Sequence, residues 1–170
     1  VPVLLTNQNS LFKNEVRDYS VFQNQRPFLY EFNNELYITW ERTDSITSSI
    51  WVSKVNVSSS ADLIYLDNST LNQISTKGNA SRGILFSYNG KLYVVWFDSR
   101  TGRDSVYLAE KNGNYWEEQT LAENSFSNTF AYPLIVKNKN FVPTLAFAWQ
   151  QSKNNKNSIS VLEPDTTVQK

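Results

Sequence analysis

Alternating apolar residues rise through Leu92-Tyr93-Val94-Val95-Trp96-Phe97, a turn follows at Asp98-Ser99-Arg100-Thr101-Gly102, and a second alternating run descends through Val106-Tyr107-Leu108-Ala109. A period of two on both sides of a short turn predicts two half-buried antiparallel strands joined by a hairpin. The phrase recurs. Residues 26–40 align without a gap on residues 82–96, and a third copy runs from Tyr132-Pro133-Leu134 to Ala148-Trp149. Trp40, Trp96 and Trp149 therefore stand 56 and 53 residues apart, which is the spacing of a repeat protein.

The alternation predicts strands at 27–32, 35–41, 48–55 and 61–66 in the first unit, and at 83–88, 91–97, 105–110 and 115–121 in the second. The third unit gives 133–137, 141–150 and 158–162 and lacks a fourth strand, while residues 1–6 read as a fourth strand without a unit of its own. Asn33-Asn34 and Asn89-Gly90 are the residue pairs that tolerate positive φ in two-residue hairpin loops. No segment carries an apolar stripe at helical spacing, so the expected class is all-β. Four-stranded antiparallel units at a period near 50 residues predict β-propeller blades, three in this chain. Residues 1–25 form an outer strand and connection, 26–80 the first blade, 81–130 the second, and 131–170 a third blade without its own outer strand.

Composition narrows the chemistry. With 40% hydrophobic and 14% aromatic residues, the 170-residue chain has the material for one packed domain. Sixteen basic side chains offset sixteen acidic ones with no local patch of either sign, which sets aside nucleic acid as a partner. No apolar stretch approaches the ~18 residues of a membrane-spanning helix, so membrane insertion is not expected. The chain has no Cys and no His, which removes thiolate and imidazole nucleophiles and the usual zinc sites. We therefore expect no metal and no cofactor. Any catalysis has to come from carboxylates, Tyr, Lys or Arg.

The second unit, with Trp96-Phe97-Asp98-Ser99-Arg100-Thr101-Gly102, then Val106-Tyr107-Leu108-Ala109, then Gly113-Asn114-Tyr115-Trp116, resembles the sialidase-like β-propellers, the BNR or Asp-box repeat superfamily. The resemblance extends over nearly the whole chain as three blades. In the register of the family's Ser-x-Asp-x-Gly-x-x-Trp box, Gly113 and Trp116 are kept, and Ala109 and Lys111 stand where the family has Ser and Asp. The family's rings have six blades, so three imply completion by further chain or by a second copy. A first residue of Val in a chain without Met favours excision from a longer polypeptide.

Arg26 and Arg82 each precede an innermost strand, and Tyr132 holds the corresponding place in the third unit. On a propeller these positions line the mouth of the central channel and converge on one ligand. By resemblance, Arg residues at blade starts bind a substrate carboxylate through paired hydrogen bonds. Asp98, Arg100 and Asp104 are secondary candidates on the hairpin after the second strand of the second unit, where a structural turn accounts for all three and a calcium site is the alternative. Trp40, Trp96 and Trp149 read as packing between blades, with a sugar-stacking platform as the alternative. The family's Tyr nucleophile, activated by Glu and assisted by an Asp, has no assignable counterpart here, and no catalytic residue is transferred. The leading expectation is a non-catalytic module that binds a glycan or protein ligand as part of a larger exported or surface protein. The alternatives are one half of a sialidase-type glycoside hydrolase and a structural spacer domain.

Overall fold

The computed structural model describes residues 23–44, 46–57, 64–75, 78–123, 131–137, 140, 142–153 and 156–163. The expected strand at residues 1–6 lies outside them. Within them the chain is all-β, as the alternation predicts, and its strands form three antiparallel sheets without closing a barrel or ring.

In the first sheet β1 (Gln23–Phe32), β2 (Glu35–Thr43), β3 (Ser48–Val57) and β4 (Ile64–Leu66) pair in chain order, and β5 (Asn72–Gln73) adds to the far end of β3. The second sheet is β6 (Ala80–Tyr88), β7 (Lys91–Asp98), β8 (Ser105–Asn112) and β9 (Tyr115–Ala122). The third is β10 (Tyr132–Lys137), β11 (Pro143–Lys153) and β12 (Lys156–Leu162). Each sheet follows the chain as a meander, so every expected hairpin that falls on described residues is present. Asn33 and Asn34 take φ of 52° and 61°, and Asn89 and Gly90 take 49° and 73°, the left-handed pairs that match a hairpin's loop to the twist of its strands.

The strand starts differ from expectation in one instructive way. The alternation starts the first strand at Pro27. Pairing instead begins at Gln23 opposite Thr43, because a β-bulge between Gln25 and Phe28 carries the proline past the ladder. The same bulge recurs between Ser81 and Ile84 in β6. A second difference is the outer strand of the first sheet. It is divided between β4 and β5, with a 3₁₀ turn at Asn68–Thr70 capped by the Asp67 carboxylate, which accepts from the Ser69 N–H.

The sheets stack face to face. Tyr37, Ile50 and Val52 of the first sheet pack against Leu85, Val94, Trp96 and Tyr107 of the second. The opposite face of the second sheet, with Phe86, Val95, Phe97 and Leu108, packs against Leu145, Phe147 and Trp149 of the third. Phe86 meets Phe147 edge to face at 5.7 Å. The period-2 alternation explains this arrangement, since β7 sends Val94 and Trp96 to one neighbour and Val95 and Phe97 to the other. The tryptophans keep step: Trp96 faces the first sheet, Trp149 faces the second, and Trp40 lies with Ile38 and Val55 on the face of the first sheet turned away from the second. Trp96 and Trp149 are buried between sheets, the expected packing role, whereas Trp40 is buried among residues of its own sheet.

Candidate functional site

The two bulges build the site. In a regular antiparallel ladder, one residue of the first strand would oppose Trp40 or Trp96. Here two do, Arg26 with Pro27 and Arg82 with Gly83, because each bulge inserts one residue. Arg26 and Arg82 both adopt left-handed backbone, with φ of 52° and 61°. This conformation is costly for a residue with a Cβ, roughly 1–2 kcal/mol. Gly83 takes the buried side of its bulge, where a Cβ would stand 2.9 Å from Ile50 Cγ2 and 3.0 Å from Thr39 Oγ1. One residue of the pair thus fits the inter-sheet core and the other is turned out of it.

Arg26 and Arg82 are turned into the same place. They line an open polar cleft of about 430 Å³ at the end of the stack where β1 and β6 begin. Glu41, at the end of β2, and Asp104, in the β7–β8 hairpin, also line it. Glu41 is the hub. Its carboxylate is only 4% exposed, and Arg26 Nη1 donates to both of its oxygens at 2.7 Å. Gln25 Nε2 donates to Oε1, and the Arg82 backbone N–H reaches Oε2 at 3.4 Å. A single buried carboxylate therefore ties both bulges together across two sheets.

Asp44 ties the rim together. Asp44 Oδ1 accepts from the N–H groups of Ile46 and Thr47 at 2.7 and 2.6 Å, which holds the Asp44 carboxyl below the usual aspartate range. Asp104 shifts the other way: burial raises its pKa, the Arg82 charge draws it back, and the Asp98 charge pushes it up again. No aromatic side chain stands among the described residues that line the cleft.

Of the residues singled out from sequence, Arg26, Arg82 and Asp104 come together here. Tyr132 does not. The β10–β11 ladder runs from Tyr132 opposite Ala148 to Lys137 opposite Pro143 without interruption. Tyr132 is thus one step before the tryptophan, the register of Phe28 and Ile84, and not that of the bulge arginines. Placing Tyr132 with Arg26 and Arg82 by sequence hides this, because the third unit lacks the inserted residue that the bulges add to β1 and β6. Asp98 and Arg100 serve the hairpin. Asp98 is fully buried; its Oδ1 accepts from the Arg100 N–H at 2.9 Å and its Oδ2 from Arg100 Nη2 at 2.6 Å. Arg100 also donates to Glu118 at 2.7 Å and lies over the Tyr107 ring at 4.2 Å. The turn reading accounts for both residues.

Glu41 was missed by sequence reasoning although a signal was there. It follows Trp40 at the position where Phe97 follows Trp96, and a carboxylate at a core-facing position demands a cationic partner nearby. No family model matches the chain, and no curated protein matches it.

Proposed function

We propose that the chain is a non-catalytic binding module of sialidase-like propeller type that receives an anionic group of a glycan or protein ligand between Arg26 and Arg82. One observation carries this reading. Two arginines 56 residues apart occupy equivalent left-handed bulge positions, and both line one cleft. Backbone strain repeated at equivalent positions points to a use for the side chains beyond packing, since Gly would satisfy the backbone more cheaply. The radial arrangement is supported by the common stacking sense of the second and third sheets, Trp96 and Trp149 each facing the preceding sheet. On that arrangement, the outward faces of the first and third sheets are where further blades stand, supplied by continuing chain or by a second copy. Placement in an exported or surface protein belongs to the same reading.

The reading is tested by screening the chain against acidic saccharides and acidic peptides and remeasuring the best binder with Arg82→Ala. Loss of at least about tenfold in affinity is expected, the scale of one charge-assisted hydrogen-bond pair. Silence in both screens would leave the spacer reading instead. A second reading, part of a sialidase-type hydrolase, draws on Asp104, a carboxyl whose pKa is raised inside the same cleft. It requires turnover of a fluorogenic sialoside that falls in Arg82→Ala. No tyrosine stands among the described residues of the cleft, so that chemistry would need a nucleophile from beyond them.

A further inference from the structure

The charges around the cleft are sorted into partners, and the sorting gives Asp104 a particular position. From β1 and β2, Arg26 and Glu41 face the cleft as a matched pair, with Arg26 Nη1 on both carboxylate oxygens. From the turn after β2, Asp44 is engaged by the amides of its own turn. On Asp104's own hairpin, Asp98 and Arg100 hold each other, and Arg100 also holds Glu118; Arg103 is exposed there. From β6, Arg82 lines the cleft with Asp104 and acts on its charge. An incoming anion that uses Arg82 therefore meets a carboxylate that lines the same cleft and feels the same guanidinium charge.

Resting on the anion-binding reading above, we infer that Asp104 is the specificity-determining residue of this cleft: it competes with the ligand for Arg82 while ionised and releases Arg82 when it takes up a proton. The cleft then selects for anions under acidic conditions, and binding is coupled to uptake of one proton. The partly buried environment of Asp104 moves that uptake above the pH at which an exposed aspartate would protonate. Linkage makes the coupling reciprocal, so the anion raises the Asp104 pKa by the same factor by which protonation tightens the anion. Protonation takes a charge of −1 to 0 at the side chain, with no other bond made or broken.

The test uses the full 170-residue chain and glucose 6-sulfate, an anion whose own charge is constant between pH 4.5 and 7.5. Affinity is measured by calorimetry at both pH values for the wild type, Asp104→Asn and Arg82→Ala, with circular dichroism to confirm the fold. The wild type is expected to bind more tightly at pH 4.5 than at pH 7.5, by up to about tenfold, Asp104→Asn to bind tightly at both, and Arg82→Ala to lose binding at both. In carboxyl-carbon NMR the Asp104 titration should move up by about one pH unit on saturation, the same tenfold factor. If Asp104→Asn keeps the wild-type pH dependence, the gate is refuted while Arg82-dependent binding survives. If the sulfate binds none of the proteins at either pH, the anion-binding reading itself falls, and the gate with it.

Discussion

At Arg82 the backbone and the side chain make opposing demands, and two substitutions separate them. Arg82→Gly removes both the side chain and the left-handed strain, whereas Arg82→Ala removes the side chain and keeps a Cβ at φ 61°. Arg82→Gly should unfold at higher denaturant than Arg82→Ala by about 1 kcal/mol, although both lose the ligand. Arg26 behaves differently because its partner is buried. Arg26→Ala leaves the Glu41 carboxylate uncompensated and should cost about 2 kcal/mol, discounted for the 42% exposure of Arg26, and Glu41→Gln in that background should restore much of it. The titrations have opposite signs. The Asp104 pKa is raised, so its ionised form disfavours folding above that pKa and the penalty fades as pH falls; Asp104→Asn should be the more stable protein at pH 7 and equal to the wild type below the ordinary aspartate range. The Glu35 pKa is lowered, first by its hydrogen bond from Lys54 and then by that from Tyr37. Its contribution is present above the usual glutamate pKa and lost as pH falls through the depressed one, so Glu35→Gln should flatten the acid limb of an unfolding curve. Arg26 and Arg82 were legible in the sequence at equivalent repeat positions, and Asp104 as a secondary candidate on a hairpin. Their partnership with Glu41 was not, because it depends on which way a bulge turns each side chain.

At the level of strands and turns, local chemistry was the better guide. Asn89-Gly90 and Asn33-Asn34 specify their hairpins, and the period of two in β7 specifies which residues face each neighbouring sheet, since the strand is buried on both faces. What the pattern could not show was length beyond the apolar run: β1 continues back to Gln23 through polar residues that pair only because the bulge absorbs Pro27. Nor could it show β5, two residues with no alternation, held by its pairing with Trp51 and Val52. Gly83 tests the coupling between bulge and core. A Cβ there stands against Ile50 and Thr39 from the neighbouring sheet, so Gly83→Ala should lower stability by about 1–3 kcal/mol, as overpacking does, and weaken ligand binding by displacing Arg82. Urea unfolding and calorimetry on one preparation check both effects.

Across the whole molecule, stability is concentrated in the second sheet, which is covered on both faces. Phe147 is fully buried in the layer between the second and third sheets, and Phe147→Ala should cost about 3–5 kcal/mol. On the opposite face of the third sheet Ile159 is 72% exposed, so Ile159→Lys should change stability by no more than about 0.5 kcal/mol. An equal loss at both positions in chemical denaturation would contradict the stacking order. The repeat spacing made three sheets legible from sequence, because Trp40, Trp96 and Trp149 mark the same strand each time. The convergence of Arg26 and Arg82 on one place was expected too, but the bulges and the Glu41 carboxylate that build the cleft were not, since they arise only where two sheets meet.

The third sheet shows what the extra residue accomplishes. Ala131 lies one residue before the first pair of that ladder, Tyr132 with Ala148, and it is buried in the cluster that holds Trp149. A lone residue at that register belongs to the interior; Arg82 escapes it only because Gly83 fills the place. Loss of a single codon at Gly83 would therefore heal the strand pairing and at the same time press a guanidinium into an oily seam, so the count of residues, more than their identity, decides whether a repeat has anything to offer a ligand.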